Sequence, residues 1–222
     1  MAALNDEKLK ILTYETTRFD FEGSVKEALG LHSTEQLSQI HTRFNSGPVV
    51  TRETDSTTPI HRLYYEKIAD TNFYNHYRDF IHTVVSRVVE GPLIVQRIPT
   101  FRAHMPKNKA VGRYHRDKEF GHQDGAINFW LPVTRAHHTN ALHIDLEDDW
   151  GPVPLELEVG EFLAFDGVNL RHGNELNETS ETRVSFDFRV IPEVDYIESS
   201  ERSVNTLSRL ALGDYYVHAD EL

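Results

Sequence analysis

Between residues 93 and 191 the chain breaks into short runs of alternating apolar and polar residues. Each run is closed by a turn signal, and this cadence restricts the fold more than any other feature. The predicted strands span residues 93–104, 111–117, 126–133, 141–146, 155–159, 161–165, 169–172 and 183–191. Pro106-Lys107-Asn108, His122-Gln123-Asp124-Gly125, Gly151-Pro152, Gly160, Asp166-Gly167 and the stretch 174–180 separate them. Many short strands at near-even spacing point to a sandwich or barrel.

The part before residue 93 reads as mainly helical. Residues 11–21 contain a strand signal, with Leu12, Tyr14 and Thr16 alternating against Thr13, Glu15 and Thr17. Ser33 with Gln36 resembles a capping box that would open a helix running to about Phe44. A short helix is expected over 59–69 with Pro59 in its first turn. Asp70 is placed to cap the next one, where Phe73, Tyr77, Phe80, Ile81, Val84, Val85 and Val88 recur at threes and fours. Helices in front of a β-rich half predict a mainly β fold with flanking helices, a jelly roll backed by helices. One domain over 1–222 is expected: 1–92 as helical support, 93–192 as the jelly-roll core, and 193–222 as a polar tail with a short helix near 203–212.

Within this frame His115-Arg116-Asp117 and the distant His172 stand out. On a strand His115 and Asp117 would share one face, and a strand folding back would deliver His172. Two imidazoles and a carboxylate can hold a ferrous ion and leave three positions open. The same set can hold zinc for hydrolysis. Glu119, His122, His137, His138 and His143 are rival ligands, with His137-His138 in a polar turn. Further on, Arg183, Ser185, Asp187 and Arg189 alternate with Val184, Phe186, Phe188 and Val190. If the apolar face packs on the 73–88 helix, the charged face turns inward, where an arginine needs an anionic partner. Guanidinium and hydroxyl at Arg183 and Ser185 suit the far carboxylate of a dicarboxylic acid.

Composition narrows the classes. The formal net charge of −12 disfavours nucleic acid as a partner. The chain has no cysteine, which removes disulfides and thiolate metal sites. It also lacks an apolar run long enough to span a bilayer and a basic, apolar start of the signal-peptide kind, so a cytoplasmic protein without membrane partners is expected. Homo-oligomerisation is left open.

The stretches Phe101-Arg102-Ala103-His104-Met105-Pro106, Tyr114-His115-Arg116-Asp117, Asn128-Phe129-Trp130-Leu131-Pro132-Val133-Thr134, Leu170-Arg171-His172-Gly173-Asn174 and Thr182-Arg183-Val184-Ser185-Phe186-Asp187-Phe188-Arg189-Val190 resemble the Fe(II)/2-oxoglutarate-dependent oxygenases. Within that family they look like the streptomycin-cluster group. The likeness covers roughly residues 95–192. It implies a double-stranded β-helix (cupin-like) fold, with Fe(II), 2-oxoglutarate and O2 as cofactor and co-substrates. It implies His115, Asp117 and His172 as iron ligands and Arg183 and Ser185 as 2-oxoglutarate anchors. Arg102, Asn128 and Trp130 are candidate co-substrate or cavity residues, and Thr139 and Asn140 could also contribute. A halogenase of the family would carry a small residue at position 117, so Asp117 favours hydroxylation of a small molecule. Desaturation, ring closure and epimerisation use the same chemistry. The alternative is a cupin-like metal enzyme that does not use 2-oxoglutarate.

Overall fold

The computed structural model describes residues 8–44, 58–110, 113–146, 151–204 and 206–222. Among these, strands β1 (Leu9–Thr13), β2 (Leu93–Gln96), β3 (Thr100–His104), β4 (Ile127–Pro132), β7 (Glu161–Phe165), β9 (Arg183–Pro192) and β10 (Tyr216–His218) form the larger sheet. Strands β5 (Leu142–Ile144), β6 (Val153–Leu155) and β8 (His172–Gly173) form the smaller one. The pairs in both sheets are antiparallel, and the fold is a double-stranded β-helix.

The long strand β9 organises the larger sheet. It pairs with β4 along one edge, and with β2 and then β3 along the other. Period-2 alternation sends Val184, Phe186, Phe188 and Val190 to the outer face, all fully buried. There α1 (Phe21–Ala28) and α3 (Phe73–Thr83) cover them, while α2 (Pro59–Lys67) stacks Tyr64 on Phe101 of the neighbouring β3. Phe21 and Phe73 meet Phe186 at ring-centroid distances of 4.8 and 5.1 Å, and Tyr77 meets Phe188 at 5.0 Å. Phe129 of β4 stacks on Phe188, its cross-strand partner, at 5.2 Å. Truncating a phenylalanine in such a layer costs roughly 3–5 kcal/mol. The inner face of β9 then carries Arg183, Ser185, Asp187 and Arg189.

Several expectations need correction. The 93–104 strand is split at residues 97–99, where Pro99 cannot donate to a ladder and the Gln96 amide bonds Ile98 O and Thr100 Oγ1 instead. Residues 111–112 lie outside the described set; from 113 to 117 there is one bridge at His115, and Asp117 opens a 3-10 turn. The strand expected over 155–159 lies at β6, with Leu157 bridging Ala136, and that over 169–172 shrinks to β8. Residues 37–42 form a 3-10 turn without a side-chain cap, so the Ser33–Gln36 box does not operate. Asn72, not Asp70, precedes α3. The strand expected within 11–21 lies at β1 and ends at Thr13, and α1 was not anticipated; its signal is Asp20, whose carboxylate accepts from Gly23 N at 2.8 Å. Among the described residues of 203–212 the tail is not helical. Leu207 takes a positive φ of 61°, Arg202 bridges Arg209, and the chain returns as β10 against β2.

Candidate metal centre and carboxylate-binding wall

Two backbone hydrogen bonds, His115 N to His172 O and His172 N to His115 O, both 2.9 Å, add residue 115 to the edge of the smaller sheet. They set the two imidazoles side by side, centroids 4.5 Å apart. Asp117 reaches the same point by a different route. Its N–H donates to Gly167 O at 2.9 Å, and the chain turns through Asp117–Phe120 to Gly121, at φ 81°. The two-residue spacing therefore works through a turn rather than through a shared strand face.

His115, Asp117 and His172 each offer a ligand atom within 4.8 Å of the others. Asp117 Oδ1 lies 3.4 Å from His115 Nε2 and 3.6 Å from His172 Nε2. It is buried and among the described residues has no hydrogen-bond partner. An orphaned buried carboxylate oxygen is costly unless a cation meets it. The opposite ring nitrogens are engaged: His115 Nδ1 with Arg113 O at 3.1 Å, and His172 Nδ1 with Leu170 O at 2.9 Å. Those bonds assign the N–H to Nδ1 and leave both Nε2 lone pairs for a metal. Burial, partly opposed by Asp117, pulls the His172 imidazole down to about 4. Burial pushes the Asp117 carboxyl up, but Arg189 and then His115 and His172 outweigh it and hold it well below the usual carboxylate range. These donors fit a divalent first-row metal.

Asp117 Oδ2 is saturated. It accepts from Asn128 Nδ2 and from Arg189 Nε, each at 2.8 Å, and Arg189 Nη2 lies 2.7 Å away as an ion-pair contact. Asn128, expected at the co-substrate, thus bonds the carboxylate of the triad, though it also lines the cavity. None of the rival ligands joins the cluster. Glu119 turns out to Arg116 N and Arg113. His122 faces the Tyr216 hydroxyl, His138 is exposed beside Glu156, His137 lies within 3.9 Å of Glu181, and His143 bonds Ala141 O.

At the other end of β9, Arg183 is 1% exposed. Nε donates to Asn140 O at 3.0 Å, Nη1 to Ser185 Oγ at 2.6 Å and Nη2 to Asn174 Oδ1 at 2.5 Å. Its guanidinium lies 5.3 Å from the Trp130 ring centroid. Trp130 Nε1 also donates to Ser185 Oγ at 3.2 Å, which leaves the serine O–H free to donate. Burial, with Arg102 adding, pulls Arg183 down to about 9, still charged at neutral pH. Arg102 pairs with Asp187 across β3 and β9 at 3.2 Å, and both line the cavity. Thr139 instead accepts from Glu178 N, and Asn140 contributes its carbonyl.

Arg189, Asn174, His104 and Tyr215 were missed in the sequence. Arg189 was legible, since it shares the inward face of β9. Asn174 and His104 were not singled out, although both fall in the quoted stretches; His104 Nδ1 lies 3.5 Å from Arg183 Nη2. Tyr215 lies in the tail beyond the short helix expected near 203–212, where no local pattern tied it to the site.

No family model matches the chain. The streptomycin biosynthesis protein StrG of Streptomyces griseus is 38% identical over 205 residues, covering 92% of this chain and 96% of that protein. Among solved structures, EctD from S. alaskensis with 2-oxoglutarate and 5-hydroxyectoine superposes with a TM-score of 0.59 at 17% identity, covering 97% of this chain and 85% of that one. The non-heme monooxygenase ThoJ, as its nickel complex, gives a TM-score of 0.51 at 14% identity, over 91% and 82%.

Proposed function

The chain belongs to the family of the streptomycin biosynthesis protein StrG and has the fold of the 2-oxoglutarate oxygenases, and from that premise we propose that it is an Fe(II)/2-oxoglutarate-dependent dioxygenase that hydroxylates a small molecule. The observation that carries this reading is one cavity lined by both imidazoles of an open metal triad and by a buried arginine that, among the described residues, bonds neutral groups alone. His115 Nε2, Asp117 Oδ1 and His172 Nε2 would hold the iron. Bound Fe(II), with 2-oxoglutarate and O2, supplies the oxidising power: substrate R–H, 2-oxoglutarate and O2 become R–OH, succinate and CO2.

The protein's own groups bind and orient. The Arg183 guanidinium and the Ser185 hydroxyl grip the far carboxylate of 2-oxoglutarate, and Trp130 stacks beneath the pair. Arg102 and Asp187 present a donor and an acceptor to the cavity and suit a hydroxylated substrate. The name of StrG tilts the substrate class toward a sugar or aminocyclitol intermediate. Anaerobic addition of Fe(II) and then 2-oxoglutarate is expected to give the weak visible charge-transfer band of the chelate. Candidate substrates are then screened by succinate release. No band and no stimulation of oxygen uptake by 2-oxoglutarate would replace this reading with a metal enzyme that uses another co-substrate.

A further inference from the structure

The metal triad has a built support that reaches from Asp117 to the C-terminal segment. Asn128 of β4 and Arg189 of β9 are direct cross-strand partners, so both point into the cavity side by side. Two N–H groups donate to one oxygen, Asp117 Oδ2, and a third nitrogen, Arg189 Nη2, stands 2.7 Å from it. A carboxylate fixed by its Oδ2 can turn only Oδ1 toward the imidazoles, and Oδ1 is the oxygen left without a partner. Gly167 makes the approach of Asn128 feasible, because a Cβ there would stand 2.5 Å from Asn128 Nδ2. Arg189 is itself held from behind. Its Nη1 donates to Tyr215 Oη at 3.1 Å and lies 3.4 Å from Gln96 Oε1. Tyr215 is anchored by Arg97 N donating to its carbonyl at 2.9 Å, just before β10 pairs with β2.

We propose that Arg189, braced by Tyr215, is a positioning residue that fixes Asp117 as a one-oxygen ligand for a divalent metal, so that the C-terminal segment is part of the metal site. The role rests on the metal triad read above. A planar fork with Nε and Nη2 on the same oxygen pins the carboxylate's rotation, which a point charge does not do. Groups that orient a metal ligand govern affinity nearly as strongly as the ligand itself.

The test is Co(II) titration of the metal-free, full-length protein, followed by the visible d–d bands. Wild type, His115→Ala, Arg189→Lys and Tyr215→Phe are compared, with a thermal melt of each to verify folding. His115→Ala is expected to abolish binding. Arg189→Lys is expected to weaken Co(II) roughly 10–100-fold and to shift the bands. Tyr215→Phe, which keeps the ring, is expected to weaken it roughly two- to tenfold, the scale of one lost hydrogen bond. Affinities and spectra of both variants within error of wild type, while His115→Ala loses the metal, would overturn the bracing role and leave the triad intact. Binding unaffected by His115→Ala would instead sink the triad. Should Arg189→Lys fail to fold, Tyr215→Phe decides alone.

Discussion

The two ends of the inward face of β9 treat a buried guanidinium in opposite ways. Arg189 is neutralised from within: Asp117 sits in its fork, Asp187 lies 3.7 Å away, and burial's pull on it is overridden so that its proton is held more tightly than usual. Arg183, six residues earlier, has a backbone carbonyl, a hydroxyl, an amide and the His104 imidazole, and among the described residues no carboxylate pairs with it. A buried charge with neutral partners is expensive, and removing one member of a buried pair costs roughly 3–5 kcal/mol. One end is therefore neutralised within the protein alone, and the other keeps an unneutralised charge that, on the function proposed above, the far carboxylate of 2-oxoglutarate would meet.

The largest expected effect that would break this contrast is on Arg183. Arg183→Leu should weaken 2-oxoglutarate binding by roughly 2–5 kcal/mol, measured by anaerobic calorimetry on the metal-loaded protein. Co(II) affinity should stay within about threefold, since no ligand-orienting contact is touched; an equal loss of both would show that the ends are not independent.

The next is thermal. At a hundredfold excess over its wild-type dissociation constant, 2-oxoglutarate should stabilise the metal-loaded wild type by about 2.7 kcal/mol and Arg183→Leu by less than about 1 kcal/mol at that concentration, read from melting curves.

The third uses protons. Burial, and then Arg183, depress the His104 imidazole to about 3, and burial depresses His61 to about 4. Both are neutral when folded and take up protons on unfolding below about pH 6.5. Their contribution to stability is present above that pH and is lost as pH falls through 4 toward 3. Urea midpoints of the metal-free protein should drop over this window, and His104→Gln should flatten the slope; an unchanged slope would mean His104 is charged in the fold. The smallest effect is Ser185→Ala, which removes one hydroxyl from the anion wall and should cost about 1 kcal/mol in 2-oxoglutarate affinity.

Much of this was legible in order of residues. The alternation along 183–190 gave both the helix-facing aromatics and the inward charges, because a period of two leaves no other arrangement. The pair at 115 and 117, with 172, was legible as chemistry, although the local geometry was not: a turn held by Gly167 O replaced the expected strand. Asn128 could be placed on an inward face but not assigned to a partner, since its proximity to Asp117 depends on how two sheets close. The tail was misread because its order comes from pairing with β2, and that long-range ladder leaves little local periodicity to read.

Strand β9 also behaves as a ruler. One residue inserted between Arg183 and Arg189 would invert everything beyond it, sending guanidinium and carboxylate into the phenylalanine layer and dropping apolar rings beside the triad. Length variation among relatives should therefore avoid this strand and gather in the connection just before it, where an added residue changes no parity.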